Sequence, residues 1–191
     1  MKSLKGTKTE MNLLKSFAGE CQARTRYDFF SSRAKKEELE MIASIFQETA
    51  LNEKEHAKRF FNFLEGGAVE ITAGYPAGKI GNTLENLRAA AEGEMEEYTQ
   101  LYPAFAKIAE EEGFKEVAAA FRLIAKVEKA HAERYSRLYE NLEKGKVFER
   151  DETVTWKCRN CGYLHEGKKA PETCPACLHP RSFFEIREKN Y

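Results

Sequence analysis

The chain has 191 residues, with 31 Lys and Arg balanced by 31 Asp and Glu. That balance gives no support for a nucleic-acid or anionic-membrane partner. No apolar run approaches the roughly 20 residues needed to span a bilayer, and the opening Met1-Lys-Ser-Leu-Lys-Gly-Thr-Lys8 lacks the hydrophobic stretch of a signal peptide. A reducing, cytoplasmic setting is the expectation, for one medium domain or one domain with a small appendix.

From about residue 8 to residue 145 apolar positions recur at helical spacing, and four helices are predicted. The first carries the stripe Leu13, Phe17, Glu20, Tyr27, and ends at a break near Lys35 to Glu38. The second carries Ile42, Phe46, Thr49, Glu53, His56, Phe60, Phe63. Between about Gly66 and Lys79 the Gly and Pro content forbids a continuous helix, and the segment is long enough to cross a bundle. The third helix carries Leu87, Ala91, Glu94, Leu101, Phe105, Ile108; Glu112-Gly113 separates it from the fourth, with Val117, Phe121, Ile124, Glu128, His131, Tyr135, Leu138. After Gly145 the pattern changes to prolines, paired cysteines and two short strand candidates, Thr-Val-Thr-Trp156 and Ser182-Phe-Phe-Glu-Ile186. The predicted division is 1–146, a mainly α four-helix bundle with one long crossover, and 147–191, a small β-rich metal ribbon.

Glu53-Lys-Glu-His56 and Glu128-Lys-Ala-His131 are each preceded by a further glutamate, Glu20 by 33 residues and Glu94 by 34. A spacing of three sets Glu and His on one helix face, and the longer gap allows a helix to end, turn and return level. The chain thus carries one metal-binding hairpin twice, the pattern of four-helix carboxylate proteins. An ionised carboxylate taken out of water costs several kcal/mol even after relaxation, so four glutamates on apolar stripes need cations between them. Mixed oxygen and nitrogen ligation suits iron or manganese. A single Glu-x-x-His is ordinarily a solvated face; here it occurs twice at matched spacing, and residues 1–146 hold no other histidine. Glu97, one turn after Glu94, breaks the repeat, its counterpart being Ala23. It is either a surface residue of an acidic run or a further oxygen ligand.

Cys158-Arg-Asn-Cys161 and Cys174-Pro-Ala-Cys177 form a four-thiolate set that accepts zinc or iron. Trp156, Tyr163 and Phe183 are expected to pack around it, with His165 and His179 outside the coordination sphere. Cys21 is left over. Neighbouring helix residues point about 100° apart, so it reads as a small buried or semi-buried residue rather than a redox partner of Glu20.

Together, the doubled helical motif, Glu97, and the Cys158-Arg-Asn-Cys-Gly-Tyr163 … Cys174-Pro-Ala-Cys177 tail resemble the rubrerythrin family along nearly the whole chain. The resemblance implies a ferritin-like bundle with a non-haem diiron centre, followed by a rubredoxin-like domain holding one Fe(Cys)4 iron. It implies Glu53 and Glu128 as bridges, Glu20 and Glu94 as terminal ligands, His131 on one iron, and an exchange of Glu97 for His56 on the other upon reduction. Tyr27 and Tyr102 match tyrosines close to that centre. Leu178 departs from the glycine common after the second pair in free rubredoxins.

The implied activity is reduction of hydrogen peroxide to water in an oxygen-sensitive cell. The Fe(Cys)4 site would re-reduce the centre, supplied by an external NAD(P)H-dependent rubredoxin reductase or a rubredoxin, because no dinucleotide fingerprint is present. The resemblance also implies a homodimer with electron transfer between subunits. A ferroxidase or iron-handling protein, and a zinc-ribbon interaction module on a helical scaffold, are the rival readings.

Overall fold

The structure is a computed structural model that describes residues 2–189; Met1 and Asn190–Tyr191, the ends of the expected division, lie outside the described residues. Helix α1 spans Lys8–Lys36. Thr7 Oγ1 accepts from Glu10 N (3.1 Å), and Glu10 Oε2 accepts from Gly6 N (2.8 Å), so the first turn is capped from both directions. Glu112, from the far end of the third helix, accepts from Lys8 N (3.2 Å) and Thr9 N (2.9 Å). The chain reverses through Glu37–Leu39, with Glu38 at φ 60°, into α2, Glu40–Phe61. Residues 62–82 cross the bundle without regular structure.

An Asn82–Glu85 capping box opens α3, Thr83–Glu96. The helix then widens into a π turn over Glu97–Leu101 and resumes without a break as α4, Tyr102–Glu111, with Pro103 in its first turn. Helix α5 spans Lys115–Glu143.

Two aromatic-rich clusters fill the bundle. One gathers Tyr27, Phe30, Phe46, Leu87 and Tyr135; the other gathers Leu13, Phe60, Tyr102, Phe121 and Ile124. On every helix the glutamates of the repeat lie in sequence between residues of one cluster and residues of the other. The carboxylates therefore form a polar layer sealed above and below by apolar packing.

The third stripe differs from expectation. Leu101 is exposed, Phe105 and Ile108 are only half-buried, and the buried positions are Tyr102, Ala106 and Ala109. A π turn holds one residue more than an α turn, so every position beyond Glu97 moves along by one.

In the tail, β1 (Glu149–Cys158) is the centre of a three-stranded antiparallel sheet of order β2-β1-β3, with β2 Leu164–Lys169 and β3 Phe184–Ile186. Strand β2, Leu-His-Glu-Gly-Lys-Lys, has no apolar alternation to announce it; its pairing with β1 defines it. Trp156 is fully buried and its Nε1–H donates to Gly167 O at 3.0 Å. The buried neighbour is Phe184, while Phe183, expected in that role, packs at the edge from a 3-10 turn. Phe148 packs against both this core and the bundle, and Arg159 Nη2 donates to Ser44 Oγ of α2 at 2.6 Å. Among the described residues no helix is long and apolar enough to cross a membrane.

Candidate metal centres

In the polar layer Glu20, Glu53, Glu94 and Glu128 are each 0–2% exposed. Glu53 Oε2 lies 2.8 Å from His56 Nδ1, and its Oε1 lies 3.2 Å from His131 Nδ1. Glu128 repeats this, with Oε1 at 2.9 Å from His56 Nδ1 and Oε2 at 3.0 Å from His131 Nδ1. Each of these two carboxylates thus spans both histidines, as a bridge must. Glu20 lies on the His56 side (3.9 Å) and Glu94 on the His131 side (3.6 Å).

Two ligand groups result, Glu20–Glu53–His56–Glu128 and Glu53–Glu94–Glu128–His131, each with donor atoms within 4.8 Å of one another. The tyrosines close the pattern crosswise: Tyr27 on α1 donates to Glu94, and Tyr102 on α4 donates to Glu20. Glu20 Oε2, Glu53 Oε1, Glu94 Oε2, both Glu128 oxygens and His131 Nδ1 are buried without a hydrogen-bond partner. Unpartnered buried acceptors are expensive, and here they converge. Two cations fit this donor set.

The offset between the two hairpins locates the irregularity in the repeat. Glu20 to Glu94 and Ala23 to Glu97 are 74 positions; Tyr27 to Tyr102, Glu53 to Glu128 and His56 to His131 are 75. The extra residue therefore enters between Glu97 and Tyr102, in the π turn. The wider turn absorbs that residue and so keeps Tyr102 on the cluster face. Glu97 begins the turn, half-buried and set back from both ligand groups, on the wall of a cavity it shares with Arg26 and Tyr102. No feature of the sequence singles Arg26 out from the other arginines of α1.

Without cations, protons balance the charge. Burial, then Glu97 and Glu53, push the Glu20 carboxyl well above the usual range. Burial and Glu53 raise Glu94 to about 8, and burial with Glu94 raises Glu97. Burial pulls both histidines down, but the carboxylates close beside them, led by Glu128, outweigh it and raise His56 to about 9 and His131 to about 12. Burial likewise pushes Glu53 up, yet the nearby His131 and His56 leave it below its ordinary value.

At the tail, Cys158 Sγ lies 3.7 Å from Cys177 Sγ, and Cys161 Sγ 3.6 Å from Cys174 Sγ. Bonds of about 2.3 Å from a central metal to four tetrahedral sulfurs give edges of about 3.8 Å, and a disulfide needs about 2.05 Å. The spacing is that of a metal site. Cys158 and Cys174 are buried, whereas Cys161 is exposed and Cys177 half-buried, so one edge of the site meets solvent. Gly162 (φ 81°) and Leu178 (φ 61°) occupy matching left-handed positions after the two pairs, each donating its N–H to the first cysteine's carbonyl. Leucine thus takes on the strained backbone that the glycine would have held freely. His165 and His179 lie outside the four-sulfur group. Cys21, expected to be buried or semi-buried, is exposed on α1.

A family model described as Rubrerythrin matches residues 11–139, and one described as Rubrerythrin, rubredoxin-like domain matches residues 156–185. The chain belongs to the rubrerythrin family. Rubrerythrin of Porphyromonas gingivalis is 65% identical over 190 residues, covering 100% of this chain and 95% of that protein. Rubrerythrin of Nitratidesulfovibrio vulgaris is 53% identical over 191 residues, covering 100% of both. Among solved structures, nigerythrin in a partially reduced state aligns with a TM-score of 0.64 at 31% identity, over 97% of this chain and 89% of that one. As a rubrerythrin-family chain it carries a diiron-type carboxylate and histidine site in the bundle and a rubredoxin-like four-cysteine site in the tail.

Proposed function

We propose that the protein reduces hydrogen peroxide to water, H2O2 + 2 H+ + 2 e− → 2 H2O, in oxidative-stress defence in the cytoplasm of an oxygen-sensitive cell. The observation that carries this reading is the pair of ligand groups sharing Glu53 and Glu128 in a sealed layer, on one chain with a four-thiolate site. Two irons held there would supply the two electrons of O–O cleavage, one from each.

The side chains supply the rest. Glu53 and Glu128 would be shared between the two metals, Glu20 and Glu94 would each serve one, and His56 and His131 would complete the two ligand groups. Tyr102 and Tyr27 fix the orientation of Glu20 and Glu94 through their hydroxyls. The apolar clusters exclude water and competing reductants. Glu97, on the wall of the cavity beside Tyr102, is placed to relay a proton to the departing oxygen.

Electrons enter at the solvent-facing edge of the cysteine site from an NAD(P)H-dependent rubredoxin reductase or a rubredoxin. They pass to the bundle of a partner subunit in a homodimer. Stopped-flow oxidation of the reduced protein tests the activity: peroxide should react well ahead of dioxygen. A preference for dioxygen with release of ferric iron would instead establish the ferroxidase reading. Heterodimers of Glu53→Ala and Cys158→Ser chains should regain turnover if electrons cross between subunits.

A further inference from the structure

A cleft of about 550 Å³ lies between α2, α5 and the ribbon, inside the range of about 300–1,000 Å³ that accepts a small ligand. Its walls carry five arginine and lysine side chains against three carboxylates. Three of the cations are spent on the fold. Arg134 Nη1 and Nη2 donate to Glu48 Oε1 and Thr49 Oγ1, each at 2.6 Å, and so tie α5 to α2. Lys157 and Arg159 share the single charge of Glu185, and Arg159 also donates to Ser44. The third carboxylate, Glu188, is exposed just beyond β3.

Arg137 and Arg150 are left. Arg137, exposed on α5, has Glu140 of its own helix at 3.7 Å, and Glu140 also faces Lys144 at 3.8 Å. Arg150, near the start of β1, is half-buried, and its hydrogen bond goes to Glu149 O at 3.2 Å. Among the described residues no carboxylate lies within 4 Å of Arg150; burial pulls its guanidinium down, and Asp151 opposes this from further off. A charge that has lost part of its water without gaining a counter-ion lacks the compensation it requires. Surplus charge of one sign in a concave space concentrates the field there, and a guanidinium fork matches phosphate oxygens two at a time. Two such forks, on separate elements, call for an anion with two charged groups.

We propose that this cleft binds a diphosphate-bearing anion, held by Arg137 from the bundle and Arg150 from the ribbon. The bound anion adds a fastening between the two units to the Arg159–Ser44 bond. Neither arginine belongs to a metal-ligand group, so the site stands whichever oxidant the centre consumes.

The test is calorimetric titration of the full-length, iron-loaded, oxidised protein with pyrophosphate, with iron counted before and after to exclude chelation. Pyrophosphate should bind once per chain, and inorganic phosphate about tenfold or more weakly. Arg137→Ala and Arg150→Ala should each weaken pyrophosphate about tenfold or more, with the visible spectrum unchanged. Lys107→Ala, on α4 and outside the cleft, should leave the affinity unaltered. ADP binding at least as tightly as pyrophosphate, with AMP weak, would uphold the site and identify a nucleotide as the source. ADP binding more weakly would uphold it for the inorganic ion. No pyrophosphate binding, or binding that neither arginine variant weakens, would overturn the proposal. Should either variant lose its spectrum, soaked wild-type crystals decide: pyrophosphate between the two guanidiniums upholds the site, and its absence there refutes it.

Discussion

Tyr27 and Tyr102 show how single atoms set the centre. Each hydroxyl occupies one oxygen of a terminal glutamate and leaves the other free for a metal. Tyr102→Phe should keep the fold and weaken metal affinity at the Glu20 side about 10–100-fold, measured by chelator competition. The raised groups give a second expectation with a definite sign. A carboxyl such as Glu94, at about 8 in the folded metal-free chain, and histidines at about 9 and about 12 retain protons that the unfolded chain releases earlier. The folded state then binds more protons than the unfolded one. Metal-free stability must fall as pH rises from roughly 4.5 to 9. Cations replace those protons, so the gain in melting temperature on metal addition should grow over the same range. A metal-free protein that becomes more stable toward pH 9 would contradict this charge assignment. The four core glutamates and two histidines were legible in the sequence because ionisable groups on apolar stripes demand compensation. Arg26 was not, because a long side chain on a helix flank shows its direction only once its neighbours are placed.

At the scale of elements, the π turn is the feature that helical periodicity misplaced. Leu101 fits an uninterrupted 3.6-residue stripe, yet Tyr102 occupies the buried position. The clue was present as a one-residue difference between spacings of 33 and 34, but its location needed the Tyr27–Tyr102 pairing. Deleting Thr99, inside the turn, should restore α-helical register with Tyr102 seven residues after Glu94, the spacing of Glu20 to Tyr27, and so keep it on the cluster face. Helix content by circular dichroism and both bundle metals should persist; loss of the Glu20-side metal would contradict the reading of the turn as one absorbed extra residue. Helix ends carry a separate expectation. Glu112 accepts two backbone N–H groups at the start of α1, so Glu112→Ala should cost about 1 kcal/mol. For a chain of this size that lowers the melting temperature by about 2–4 °C. Strand β2 escaped the sequence because an edge strand of charged residues needs only its partner's backbone, and β1 supplies it.

The whole molecule divides its chemistry between a sealed layer and an exposed edge. Two apolar clusters enclose the carboxylates, while the small sheet holds its sulfurs with Cys161 open to solvent. Phe148 and the Arg159–Ser44 bond tie the second unit to the first. Bundle, crossover and ribbon follow from periodicity, glycine and proline content, and cysteine spacing. How the ribbon docks on α2 does not, because it depends on contacts between elements far apart in the chain. The central claim, two sites of different chemistry built from three ligand groups, is tested most directly by counting metal after anaerobic reconstitution with ferrous iron. The account predicts about three irons per chain, about one remaining in Glu53→Ala, and loss of the ferric-thiolate absorption alone in Cys174→Ser. A wild-type stoichiometry of one, or full iron retention in Glu53→Ala, would contradict it.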